Sequence, residues 1–183
     1  INMVQEMKKV KGTVPGLSSP LVGEDKVRGP LENITKDTYP GSGIRLHALR
    51  LLGSYYFTNK QYKDCIRIYQ SLMADYPKEL TEDVLLEYAQ SLQEEEKFPQ
   101  AVEIYKKLTN PSPDIQTRII ICLSESGEDE EVISISDILL PLWERNKVRG
   151  NLDELIYRRG ISYKRLNNLD SAIKEFDNLI QNF

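Results

Sequence analysis

His47, Cys65 and Cys122 are the whole supply of imidazole and thiol in this sequence. A Ser-His-acid or Cys-His catalytic arrangement would have to be built on His47. A zinc site would have to gather the two cysteines and the histidine from segments far apart in the chain. Both cysteines lie in apolar-periodic stretches, where a free cysteine serves as a small hydrophobe. Two acidic runs, Glu94-Glu95-Glu96 and Glu128-Asp129-Glu130-Glu131, could attract a cation. Calcium binding needs alternating oxygen donors around a central glycine, which neither run supplies, so both read as solvated turns. No glycine-rich, phosphate-cradling loop is present. The residues therefore point away from an enzyme: no catalytic residue, metal ligand or cofactor site is expected.

The elements that would position any site come next. At 183 residues, 40% apolar and 28% charged, the chain suits one compact domain or one solenoid segment. Its 24 basic and 28 acidic residues leave a net charge of -4. That balance argues against nucleic acid as the main partner, since phosphate contacts need clustered Lys and Arg. The longest apolar stretch, Ile119 to Leu123, is far too short to span a membrane. Two cysteines make no disulfide framework, so the compartment stays open. The start at Ile1 suggests an internal segment of a longer protein or one following a removed segment. Asn33-Ile34-Thr35 is a glycosylation acceptor only in a eukaryotic secretory setting.

The chain divides into two unlike parts. Residues 1–43 carry Gly12, Pro15, Gly16, Pro20, Gly23, Gly29, Pro30, Pro40, Gly41 and Gly43. This spacing predicts an irregular N-terminal arm or linker of extended chain and turns. A short amphipathic helix over 2–10 is possible within it, with Met3, Met7 and Val10 on one face. Leu17, Leu21, Val22, Val27, Leu31, Ile34 and Tyr39 are the apolar points by which the arm could dock on the rest or on a neighbouring chain. Across 44–183 the apolar residues recur every three or four positions. Paired helices are expected at 44–58 and 61–75, 80–95 and 98–109, 114–125 and 129–145, and 152–166 and 169–182.

The pairs repeat. Tyr62, Cys65 and Tyr69 correspond to Phe98, Ala101 and Tyr105, and to Leu169, Ala172 and Phe176. Cys65 to Ala101 is 36 positions and Ala101 to Ala172 is 71, so a hidden copy is required near 136. Ile133, Ser136 and Leu140 are assigned to it. In the preceding helices Gly53, Ala89 and Gly160 recur as small residues that let one backbone approach the next. Pro77 and Pro113 end the first two units, and Pro141 should kink the helix that contains it.

This pattern resembles the tetratricopeptide repeat (TPR), a helix-turn-helix of about 34 residues. The resemblance covers repeats at about 46–79, 82–113, 114–150 and 153–183, the third degenerate, with Gly127 where a large residue is usual. It implies an all-α solenoid of about four hairpins in a right-handed superhelix. It also implies a scaffold that binds a peptide, helix or partner subunit on a concave face lined by the first helix of each repeat. The expected lining is His47, Arg50, Ser54 and Phe57, then Glu87, Gln90 and Gln93, then Tyr157, Arg158, Ile161 and Lys164. Arg50 and Ser54 stand where chaperone-tail clamps show Lys and Asn, and Glu87 where they show Asn. Its charge would repel a terminal carboxylate, so no such clamp is expected. The resemblance further suggests a bacterial source and a cytoplasmic, periplasmic or cell-envelope location. The alternatives are a regulatory module of a larger enzyme and a helical-repeat RNA-binding protein. Self-association through the uncapped last repeat is a further possibility.

Overall fold

The computed structural model describes residues 24–146 and 151–182. The segment 2–10, a possible helix from its sequence, lies outside them. Every regular element among the described residues is an α-helix: α1 (Glu24–Asp37), α2 (Gly43–Thr58), α3 (Tyr62–Asp75), α4 (Glu82–Glu94), α5 (Phe98–Tyr105), α6 (Pro113–Ser126), α7 (Asp129–Asn146), α8 (Leu152–Arg165) and α9 (Leu169–Asn182). From α2 onward they form four hairpins, α2–α3, α4–α5, α6–α7 and α8–α9, each stacked on the next. First helices also meet their counterparts one repeat away, α2 with α4 and α6 with α8. The molecule is an all-α solenoid.

One contact sets how closely each hairpin closes. Gly53 of α2 faces the ring of Tyr69 on α3, so near that any Cβ at position 53 would collide with the ring. Gly160 of α8 stands likewise against Phe176 of α9, whose Cε1 lies 2.8 Å from where a Cβ would be. Tyr69 is 1% exposed despite its size, because the missing side chain leaves room for it. In α4–α5 the pair is Ala89 and Tyr105, both fully buried.

The four hairpins turn in the same way. Lys60, Glu96, Gly127 and Asn167 take the left-handed conformation, with φ of 57°, 56°, 78° and 59°. The amide of the residue after each reaches back over the helix end: Gln61 to Tyr56 O (2.8 Å), Lys97 to Leu92 O (2.8 Å), Glu128 to Leu123 O (3.0 Å) and Asn168 to Tyr163 O (2.9 Å). This closure satisfies helix-end carbonyls that would otherwise lack a donor.

These turns correct the register expected for the third repeat. Lys60 to Glu96 is 36 positions, Glu96 to Gly127 is 31, and Gly127 to Asn167 is 40. The third turn therefore arrives one helical turn early. Counted from it, Val132 stands where Cys65, Ala101 and Ala172 stand, and Ser136 falls at the aromatic position of Tyr69, Tyr105 and Phe176. Ile120 then occupies the place of Gly53, Ala89 and Gly160. The size pattern is inverted: a large Ile120 opposite a small Ser136, both 0% exposed. The length differences offset one another, since α5 has 8 residues and α7 has 18, against 14 for α3 and α9. A regular period of about 35.5 hid this exchange.

Two further expectations change. Residues 24–37, expected to be extended, form α1, which passes through Gly29 and Pro30. A proline disfavours helix in the residue before it by clashing with that residue's backbone N–H and Cβ, and at Gly29 the Cβ part of the clash is absent. Leu31, 7% exposed, joins the core and Ile34 packs against it, whereas Val27 and Tyr39, expected as docking points too, are exposed, and Leu17, Leu21 and Val22 lie outside the described residues. Arg45 holds α1 in place through the Thr38 carbonyl (3.2 Å) and Asp75 (3.1 Å). Helix α5 ends at Tyr105 rather than 109, ahead of the segment containing Pro111 and Pro113. Helix α7 runs through Pro141 to Asn146, as the range expected over 129–145 has it; the carbonyl left without its helical donor belongs to Asp137, an exposed residue.

Gly53→Ala should destabilise the chain by about 1–2 kcal/mol, the overpacking cost exceeding alanine's helical advantage of about 1 kcal/mol. Gly43→Ala, whose Cβ meets nothing within 4 Å, should change stability little. Urea unfolding of the two variants tests this; equal midpoints would mean that the α2–α3 seam is not set by that contact.

Candidate functional site

The first helices α2 and α4 meet, as do α6 and α8, and polar side chains join first helices across every repeat boundary, giving a candidate wall. Ser54 Oγ of α2 donates to Glu87 Oε1 of α4 at 3.1 Å. Arg118 Nη1 of α6 donates to Gln93 Oε1 of α4 at 3.4 Å, and Tyr105 of α5 donates to the same oxygen at 2.9 Å. Arg158 of α8 pairs with Glu125 of α6, and with Glu154 of its own helix at 2.7 Å. The result is a ladder of hydrogen bonds from repeat one to repeat four.

The sequence-derived lining residues divide between this ladder and free surface. Ser54, Glu87, Gln93 and Arg158 are rungs. Glu87 also accepts the phenol of Tyr69. Burial, followed by the hydrogen bond to Glu87, raises the Tyr69 pKa, so that phenol stays a donor. Arg50 reaches sideways to the Glu79 carbonyl. Phe57 packs against Tyr62 with centroids 6.2 Å apart and lies at the edge of the core. Gln90 and Ile161 are half-buried, while His47 and Lys164 are exposed. Tyr157 is 45% exposed, with its ring tilted over Phe176 at 6.4 Å and the Arg158 guanidinium 5.8 Å from its centroid.

Sequence reasoning named no wall residue from the third repeat. The structure adds Arg118, Ile121 and Glu125 of α6, of which Arg118 and Glu125 are rungs. The signal was available in Gly127: a Gly after a helical stretch marks its end, and counting back from it places the wall positions.

The thiols are the opposite of activated nucleophiles. Cys65 and Cys122 are both 0% exposed, and burial pushes each pKa up to about 12. Ser91 donates to Cys65 Sγ at 3.1 Å without offsetting that burial. Among the described residues, no group of three or more His, Cys, Asp or Glu is placed to hold a metal ion. No helix among them is long and apolar enough to cross a membrane.

Two segments, 47–79 and 154–183, match the family model described as tetratricopeptide repeat. They are the first and last hairpins, the two with Gly against an aromatic. No curated protein matches the chain. Among solved structures, one similar chain is YrrB, described as a TPR protein with an unusual peptide-binding site. It shares 13% identity over 97% of this chain and 81% of that one, with a TM-score of 0.66. MamA of MSR-1 is 17% identical over 98% and 97%, with a TM-score of 0.63. A Podosopora anserina protein of nearly identical TPR-like repeats is 12% identical over 86% and 84%, with a TM-score of 0.62. At these identities the likeness is one of fold.

Alkali tests the burial of the core acids. Cys65 and Cys122 shift from 9.0 to about 12, and Tyr56 from 10.0 to about 12 through burial and then Glu32. Each folded value lies above the unfolded one, so the stabilisation is complete below about pH 9 and is lost as pH rises towards 12. The urea midpoint should fall steadily above pH 9, and both thiols should resist alkylation at pH 8 until the chain is unfolded. Rapid labelling of either cysteine in the native protein would contradict the packing described.

Proposed function

Because this chain is a tetratricopeptide-repeat protein, we propose that it is a non-catalytic scaffold holding a peptide, helix or partner subunit against the α2–α4–α6–α8 wall. The observation that carries this reading is Tyr157: a large aromatic ring, nearly half exposed, supported from below by Phe176 and flanked by Arg158. Supported aromatics beside an arginine are the commonest energetic anchors of interfaces, since little side-chain freedom remains to be lost. Exposed Leu51 and His47 at one end, and Lys164 at the other, extend the strip.

The ladder favours such a use. Its rungs hold the wall side chains before a partner arrives, which lowers the ordering cost of binding. Glu87, whose hydrogen-bond donors Ser54 and Tyr69 are neutral, keeps a negative charge on the wall, which disfavours an RNA backbone. At Glu87 a terminal carboxylate would meet negative charge, so a chaperone-tail clamp is not part of the proposal. A role as the interaction module of a larger enzyme uses the same wall and the same chemistry. A bacterial source and a place in a larger assembly belong to the same reading.

A displayed peptide library panned against the chain should enrich sequences that bind this wall. Arg50→Ala, Tyr157→Ala and Lys164→Ala should each weaken a selected peptide about five- to thirty-fold, corresponding to about 1–2 kcal/mol, with the helical circular dichroism retained. Peptides indifferent to all three changes would show that the wall is not the binding surface. A salt-sensitive gel shift with RNA would favour the nucleic-acid alternative.

A further inference from the structure

A cleft of about 630 Å³ opens between α7 and α9, away from the first-helix wall. Its floor is a buried ion pair. Arg159 of α8, 8% exposed, donates through Nη2 to Glu175 Oε1 of α9 at 2.9 Å and through Nη1 to Asp137 of α7 at 2.9 Å. Glu175 is itself only 8% exposed, and its second oxygen, Oε2, is buried without a hydrogen-bond partner. A buried carboxylate oxygen left in that state is costly, and an arriving cation would relieve it. Asp170 and Asp177 line the same cleft, where with Glu175 they outnumber the bases Arg159 and Lys174, while Leu140 and Ile173 add apolar wall. Ile173 is 58% exposed, and its neighbours Leu169 and Ile180 on α9 are 54% and 80% exposed.

We propose that this cleft binds residues 1–11 of the chain, with a lysine ammonium donating to Glu175 Oε2. The chemistry of that segment is complementary. Lys8, Lys9 and Lys11 stand against the single acid Glu6. Met3, Met7 and Val10, spaced for one helix face, match Leu140, Ile173 and the exposed apolar residues of α9. A lysine suits such a cleft because its methylene stem lies along apolar surface while its head reaches the carboxylate. Twelve residues, 12–23, separate this segment from α1; a chain of that length spans at most about 40 Å, so the test distinguishes a cleft on the same chain from one on a neighbouring copy. The inference is independent of the first-helix wall and of what binds there.

Zero-length carbodiimide cross-linking of the intact chain, read by peptide mass spectrometry, tests it. Lys8, Lys9 or Lys11 should be joined to Asp170, Glu175 or Asp177. The yield should drop at least about five-fold in high salt and in Lys8→Glu/Lys9→Glu/Lys11→Glu or Asp170→Asn/Asp177→Asn, with helicity unchanged. Cross-links in the monomer band place the segment on its own chain and those in a dimer band on a neighbour; either supports the proposal. Cross-links from these lysines only to Glu94, Glu95 or Glu96 would overturn it. So would finding Lys147 as the residue joined to the cleft, or finding no cross-link at all.

Discussion

The fold depends on how closely the two helices of a hairpin can approach, and one pair of positions decides that. A residue on the first helix and another 16 places later share a space that holds one large side chain and one small one. Gly53 with Tyr69 and Gly160 with Phe176 fill it from the second helix. Ala89 with Tyr105 does the same less extremely. In the third hairpin Ile120 and Ser136 are the large and small members in reverse order, and both are wholly buried. At each of the four pairs of positions one side chain is large and the other small, as the close packing of a protein interior allows. Which helix supplies the bulk is free to change.

That distinction explains what could be read from the residues. The first, second and fourth hairpins show their small and aromatic positions openly, and their helices appear where apolar periodicity places them. The third hairpin exchanges its sizes and moves its turn four residues earlier, so a search for the same residue types at a constant period lands on Ser136 for the wrong reason. Backbone conformation is the more durable marker. The left-handed residue at Lys60, Glu96, Gly127 and Asn167 stays at the hairpin turn whatever the side chains do. Only one of the four is glycine, which is why the mark is faint in the sequence. Helix α1 was hidden for another reason: Gly29 and Pro30 look like breakers singly, yet the glycine removes the Cβ with which the proline would clash.

Of the candidate wall, the sequence names first-helix residues but not their partners. Counting from Gly53 and Gly160 locates its first-helix residues, but hydrogen-bond partners depend on how neighbouring repeats stack. Ser54, Glu87, Gln93 and Arg158 hold the wall together, and that follows only from the cross-repeat distances. Helix α1 adds a related point about the ends. It packs on α2 as the second helix of one repeat packs on the first helix of the next, so the first hairpin has a covered outer side.

The ladder also separates the residues bonded to a neighbouring repeat from those whose exposed portions are uncommitted. A side chain committed to a rung brings order but little new contact, because a partner would have to break one hydrogen bond to form another. Tyr157, His47, Leu51 and Lys164 carry no such commitment in their exposed portions and present aromatic, imidazole, aliphatic and ammonium groups along one strip. Tyr157 differs from the other three in being supported: Phe176, the same residue that closes the fourth hairpin against Gly160, lies under its ring. The contact that sets the helix separation therefore also fixes the exposed ring. In the fourth repeat, the packing constraint that makes the fold is the one that prepares the surface.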